Sequence, residues 1–234
     1  MKRALTLLAA AAALTAVAVT GAYALSSHEA KPVSVAPSVG GLENVNFVSL
    51  CRFSRRLPDD PIVHPGQPGV SHDHTFFGNA TTDAFSTPAG LVGKPSTCDP
   101  TTDTASYWAP SLVVDGKIVD ALDAAIYYRR TTYAAVKPFP VGFMMVGGNS
   151  TSFTPQSKDV VFWGCGLEAS DASVEVPNCG DKSLRLHVIF PECWDGTRLD
   201  SPDHKSHMAY ASNGVCPADH RSRYRSSSSS SATP

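Results

Sequence analysis

Apart from a short RSRYR stretch near its end, the chain has no basic run, and its formal net charge is only −2. That argues against a nucleic acid partner, whose phosphates call for a clustered basic face. No two of the six cysteines are spaced as C-x-x-C, so a zinc-ribbon or zinc-finger site is a poor reading. Beyond the first 24 residues no apolar run approaches the ~20 residues that a membrane-spanning helix needs. There is no G-x-S-x-G elbow, phosphate loop, dinucleotide fingerprint or H-E-x-x-H pair, which sets aside serine hydrolases, nucleotide enzymes and zincins. No carboxylate pair stands out, so the two-carboxylate chemistry of glycosidases has little support.

What is present begins with an export signature. MKRALTLLAAAAALTAVAVTGAYA has a basic start, an apolar stretch and a small-x-small end at Ala22–Ala24, which is the pattern of a cleaved secretory signal over residues 1–24. An uncleaved anchor is the rival reading, since the apolar part is nearly long enough to span a bilayer. Residues 25–43 are small, polar and Pro-bearing, as a flexible linker would be. Residues 44–220 form a candidate single secreted domain, and the serine-rich end, 221–234, reads as a disordered low-complexity tail. No membrane contact is expected after signal cleavage. The six cysteines, Cys51, Cys98, Cys165, Cys179, Cys193 and Cys216, all fall in the domain, and an even number in an exported chain predicts three disulfides. The sequence does not choose among the pairings; neighbour pairing (51 to 98, 165 to 179, 193 to 216) is the simplest expectation.

With helical periodicity scarce, short apolar or alternating runs bounded by Gly, Pro, Asn and Asp predict a mainly β fold, a single β-sandwich or jelly-roll-like domain with long disulfide-stapled loops. Strands are expected over Val45–Phe53, Ser106–Val114, Ala125–Tyr133, Gly142–Gly147, Asp159–Gly164 and Ser183–Phe190. In the last, Leu184, Leu186, Val188 and Phe190 share one face, and Arg185 and His187 share the other, toward solvent or a cleft. Asp115-Gly116-Lys117 reads as a hairpin turn, and a short helix could lie within 119–125.

The candidate chemistry is carried by histidines. In SHDHTFF, His72 and His74 project to one face of an extended backbone and Asp73 to the other, beside Phe76 and Phe77. In CWDGTRLDSPDHKSHMAY, Asp203, His204 and His207 follow a Ser-Pro turn. If the two stretches meet, they supply enough donors for a divalent metal or for metal-free acid–base work. Each histidine alone is more often a hydrogen-bonding strut. Tyr107, Trp108, Tyr128 and Trp194 are candidate platforms for sugar rings, with core packing as their commoner fate. Arg129, next to the Tyr pair, could neutralise a carboxylate on an acidic ligand.

HPGQPGVSHDHTFFGN, SYWAPSL, GFMMVGG and RLHVIFPECWDGTRLDSPDHKSHMAY with the following CPADH resemble the secreted fungal and bacterial proteins of the domain-of-unknown-function family numbered nineteen ninety-six. The likeness covers residues 44–220 and implies export, with frequent attachment to carbohydrate-binding modules in fungal members. It implies no established reaction, but both histidine stretches belong to the family's signature. Similar proteins continue past CP-x-x-HP into further strands, whereas here His220 leads into Arg221 and a serine run. The loss of one cytosine from codons for His-Pro-Val-Pro-Leu-Pro can spell His220 to Arg225, so an altered C-terminus, with a sheet edge left open, is expected.

Together these features predict a secreted carbohydrate-active protein working on an extracellular polysaccharide. Lyase-like chemistry would use His72 or His74 as base and Arg129 or a divalent metal as anion stabiliser. A non-catalytic envelope or carbohydrate-binding module is the alternative, and extracellular metal binding a weaker one.

Overall fold

The computed structural model of the chain describes residues 46–129, 139–166, 172–223 and 227–232. The signal-like segment, the linker and residues 130–133 of one expected strand lie outside the described residues.

The fold is mainly β and antiparallel throughout its described pairings. β1 (Asn46–Leu57) is long enough to serve two partners. Its first half pairs with β7 (Ala121–Arg129), and after a bulge between Phe53 and Arg55 its second half pairs with β2 (His74–Gly78). β2 then pairs with β4 (Ser106–Pro110), and the two-residue β3 (Cys98–Asp99) lies against β1. β5 (Leu112–Val114) and β6 (Lys117–Val119) form the expected hairpin. Asp115 and Gly116 both have positive φ, as a two-residue primed turn requires. On the far side of β7 come β8 (Val161–Cys165) and β9 (Leu184–Ile189). β10 (Cys193–Trp194), β11 (Met208–Ala209) and β12 (Ser222–Arg223) make a small separate sheet.

The main sheet runs β4-β2-β1-β7-β13-β9-β8, where β13 is Ser227–Ala232. The serine run, expected to be structureless, is thus an interior strand between β7 and β9, and no edge is open there. Strand pairing draws on backbone N–H and C=O groups, which serine supplies as well as valine does. Composition alone therefore could not place it.

Two further expectations are corrected. Residues 119–125 hold no helix but the end of β6 and, past Asp120, the start of β7; among the described residues the helix that forms is the single turn α1 (Pro88–Leu91), with Pro at its start and the Thr87 hydroxyl accepting from Gly90 N–H. Residues 142–147 are an unpaired strap and not a strand. Gly142 has a φ of 91°, and a Cβ on Gly147 would lie 2.9 Å from a Val188 methyl, so the strap crosses β9 at a distance only glycine allows.

The sheet buries one face through Cys51, Phe77, Cys98, Ala124 and Ile126, with Phe53, Tyr107 and Tyr128 packed on them. The opposite face of β9 is also covered: His187 stacks on Phe162 with centroids 4.4 Å apart, and Arg185 meets Asp123 at 3.4 Å. His187 is therefore buried packing, neither surface nor cleft lining. Three disulfides join Cys51 to Cys98, Cys165 to Cys179 and Cys193 to Cys216, the neighbour pairing, and no described cysteine is free. Such bonds persist in oxidising compartments. Among the described residues no helix is long and apolar enough to cross a membrane.

Candidate functional site

Between the core face of the sheet and the strap lies a cavity of about 480 Å³. Phe77, Tyr107, Ala124, Ile126 and Tyr128 form its floor, and Phe139–Gly147 its cover. Asp60–Val63 and Thr87–Val92 flank it, with His74 beside Asp60. β2 carries His74 and Phe77, its neighbour β4 carries Tyr107 and Trp108, and β7, across β1 from β2, carries Tyr128, so the sheet order sets the spacing of its walls.

His74 is almost fully buried. Its Nδ1 lies 2.9 Å from the Asp59 carbonyl oxygen, which can only accept, so Nδ1 carries the proton. In the neutral ring that leaves Nε2 as a lone pair, 4.0 Å from Asp60 Oδ2. Burial pushes the His74 pKa below its ordinary 6.5, the bond to the Asp59 carbonyl opposes this, and the charge of His72 adds to the lowering. The loop that aims these groups is fixed by carboxylates. Asp59 accepts from Gly69 and Ala84 N–H at 2.9 and 3.0 Å, while Asp60 Oδ1 accepts from Ile62 and Val63 N–H, both at 2.9 Å. Asp60 Oδ2 remains toward His74.

At the middle of the floor Tyr107 donates to Asp103 at 2.9 Å, and its oxygen lies 2.6 Å from the Tyr128 hydroxyl. Since the one Tyr107 proton goes to Asp103, Tyr128 donates to Tyr107, and the Tyr128 oxygen keeps a free acceptor site. Burial pushes Tyr128 up to about 12, and burial, then the neighbouring Tyr128 and Asp103 charges, push Tyr107 further. Both are neutral phenols at physiological pH. A raised acid pKa stabilises the fold below the ordinary value of 10 and is lost as pH climbs through the folded-state value. The denaturant midpoint is expected to fall as pH rises above 10, and Tyr107→Phe to flatten that fall.

The other predicted residues are distributed around this cavity. His72 is exposed, its ring 4.3 Å from that of His74. The Asp73 carboxylate accepts from the Ser111 hydroxyl, fixing the turn between β4 and β5. Trp108 lines the cavity and packs on Phe76 at 5.6 Å. The backbone of Arg129 pairs with Asn46, and its side chain lies outside the described residues. His204 is bonded through Nδ1 to Asp200 at 2.9 Å. Asp203 accepts from Ser206 N–H, Ser201 Oγ and Lys205 N–H, which hold its carboxyl well below the usual range.

His207 is wholly buried behind the strap, with Nε2 2.8 Å from the Met144 carbonyl and Nδ1 2.9 Å from Ser201 Oγ. Met144 N–H in turn donates to the Leu199 carbonyl at 3.0 Å, and Phe143 packs edge-on against both His207 and Trp194. The second histidine stretch thereby braces the cavity's cover while the first lines its end. Removing the imidazole leaves a hole and an unpaired carbonyl, so His207→Ala is expected to cost about 2–3 kcal/mol in urea unfolding. Ligand affinity should fall with it as the strap loosens.

Among the described residues, the ligand atoms of Cys51, Cys98 and Asp103 are the one group close enough to hold a metal ion, and there the two sulfurs are bonded to each other. No lysine or arginine is among the described residues that line the cavity. Sequence reasoning missed Asp59, Asp60, Asp103 and the strap's role as cover. Asp59-Asp60, set between Pro58 and Pro61, was the available signal, but no local spacing links it to His74.

The fold and cavity define an antiparallel, disulfide-stapled β domain with a ligand-sized pocket and a buried histidine at one end. The chain belongs to the family described as Domain of unknown function (DUF1996), whose profile matches residues 60–228. No curated protein and no solved structure matches the chain.

Proposed function

We propose that this is an exported carbohydrate-active protein that uses His74 as a proton acceptor on a neutral ligand held in the cavity. The observation that carries this reading is the pinned tautomer of His74: Nδ1–H is committed to the Asp59 carbonyl, and the Nε2 lone pair is left beside Asp60 at the cavity. A base must be unprotonated to act, and burial keeps this ring neutral at pH values where an exposed histidine would already be charged. Asp60 Oδ2 can stabilise the imidazolium that forms on proton uptake. The aromatic rings of Trp108, Tyr128 and Phe143 offer faces against which the C–H side of a sugar ring can lie. An acidic sugar would find no cation among the described lining residues, so the expected substrate is uncharged.

The test is product formation from a panel of neutral and acidic polysaccharides and glycosides, followed over pH. The expected result is turnover of neutral members only, rising with pH to half its plateau below pH 6.5. Turnover confined to uronate-containing polymers, or a rate that falls over that pH range, would sink the reading.

A second reading, a non-catalytic binding module of the cell envelope, is favoured by the bonds that several of the cavity's hydroxyl oxygens make within the protein. Ser106 is bonded to Thr82, Ser86 to Asp83 and Thr87 to Gly90 N–H. Saturable glycan binding without any product would favour the module.

A further inference from the structure

We infer that the cavity takes the apolar arm of an uncharged amphiphile, such as an alkyl or aryl glycoside or a long-chain alcohol, and not a sugar ring by itself. This deepens the proposed function and rests on its reading of the cavity as a ligand site.

The polar groups that remain available in the cavity limit what it can hold. A sugar ring carries a hydroxyl on nearly every carbon, and each one enclosed without a partner costs roughly 1–3 kcal/mol. Among the described lining residues, Ser86, Thr87 and Ser106 are already bonded within the protein, and the Tyr107 and Tyr128 protons are used by Asp103 and Tyr107. Apart from hydroxyl oxygens of Ser and Thr, the side-chain acceptor sites left are His74 Nε2, one Asp60 oxygen and the Tyr128 oxygen. Of side-chain hydroxyl donors among the described lining residues, Thr104 and Ser150 show no side-chain bond, and Thr87 and Ser106 accept from Gly90 N–H and Thr82 without donating, so four O–H groups remain. These few groups are scattered along a wall that is otherwise apolar, which suits a guest with an apolar arm and few polar atoms better than a ring covered in hydroxyls.

The rest of the wall is aliphatic and aromatic. Phe77, Ile126, Phe143, Met145, Val188 and Phe190 all line it, and methionine adapts to an irregular apolar guest. The mouth is apolar too: Val63, Val92 and Val141 line the cavity yet are 42%, 61% and 78% exposed. Apolar side chains left in water around an opening fit a guest that continues its apolar surface outward. His74 lies three residues along β2 from Phe77, an odd spacing that puts it on the other face of the strand beside Phe76, while Tyr107 and Phe77 share the core face, so the polar points stand apart around the cavity. An apolar arm lies against the core-face wall of Phe77, Ile126 and Val188, with a hydroxyl or head group at the Tyr128 oxygen or toward the mouth. With no cation in the described lining, a carboxylate head would be buried unpaired and is disfavoured.

The test is binding of n-octyl glucoside, methyl glucoside, 1-decanol and decanoate to the full protein at pH 8, each below its aggregation threshold, by calorimetry and tryptophan fluorescence. Octyl glucoside is expected to bind at least tenfold more tightly than methyl glucoside, and decanol at least tenfold more tightly than decanoate. Met145→Trp, which fills the cavity, is expected to weaken octyl glucoside at least tenfold; should that variant not fold, Val141→Trp at the mouth takes its place. Equal binding of methyl and octyl glucoside, decanoate as good as decanol, no binding of any alkyl probe, or unchanged affinity in a folded filled variant would each overturn the inference. The two readings separate cleanly. Octyl glucoside binding without turnover of any glycoside removes proton transfer at His74 alone, and turnover with no preference for the alkyl arm removes the amphiphile alone.

Discussion

On the proposed reading, replacing His74 by asparagine is expected to lower turnover of a neutral substrate by about 10²–10⁴-fold, the usual contribution of a positioned general base. Asparagine is the informative change because its side-chain N–H₂ can occupy the place of Nδ1–H and still donate to the Asp59 carbonyl. The loop from Asp59 to Val63, held by Asp59 and Asp60 carboxylates, then keeps its path. What disappears is the Nε2 lone pair beside Asp60. Stability is expected to respond differently with pH. The lowered His74 pKa means that the folded state favours the neutral ring, so its contribution is present above pH 6.5 and is lost as pH falls through the folded-state value. The asparagine variant should show a flatter loss on acidification together with the collapse in rate. A variant that keeps its rate within threefold, or that loses rate only in proportion to folded protein, would assign His74 to the scaffold.

The second large effect is structural. Replacing Cys51 and Cys98 together by alanine is expected to destabilise the fold by about 4 kcal/mol, from the loop entropy of their 47-residue separation. The other two bridges close separations of 14 and 23 residues, and each is worth about 3 kcal/mol on the same scale. Position sharpens the contrast. Cys51 and Cys98 are buried at the centre of the core, against Phe77 and Ile126, and they tie the loop after β2 back to β1. That loop begins at Gly78, where φ is 79° and a Cβ would lie 2.5 Å from the Ala105 carbonyl, and continues through buried Asn79, whose amide donates to the Leu91 and Thr104 carbonyls. Guanidinium unfolding of the three double-alanine variants measures the ranking. A larger loss on removing Cys165 and Cys179 would show that the core bridge is not the main staple.

How far these features were legible in the sequence depended on whether the signal was local. The β5–β6 hairpin followed from Asp115-Gly116, and β9 from the alternation of Leu184, Leu186 and Val188, because each is written within a few residues. β2 was harder: all five of its residues are buried, so HTFFG has no wet face to alternate against a dry one. The run Gly142–Gly147 has strand-like composition, yet its glycines and its one-residue contacts to Leu199 and His207 make it a cover. The site itself was half visible. The histidines drew notice by type, but Asp60, His74, Tyr107 and Tyr128 come from four separate stretches that only the sheet register assembles. The same register separated His207's role from His74's, which no spacing could do.

The interior position of β13 gives the sheet an unusual weakness of registration. β7 and β9 do not pair with each other; each pairs with Ser227–Ala232. In most strands a shift by two residues changes which side chain meets which neighbour, and packing rejects the error. In a run of identical serines such a shift exchanges serine for serine, and only the ends of the run mark the native alignment. The two halves of the main sheet, one carrying Tyr128 on the cavity floor and the other carrying Val188 beneath the strap, are thus joined by a strand whose side chains say little about where it should stop. The alignment of those two walls of the cavity falls instead to the strap itself and the loop that braces it.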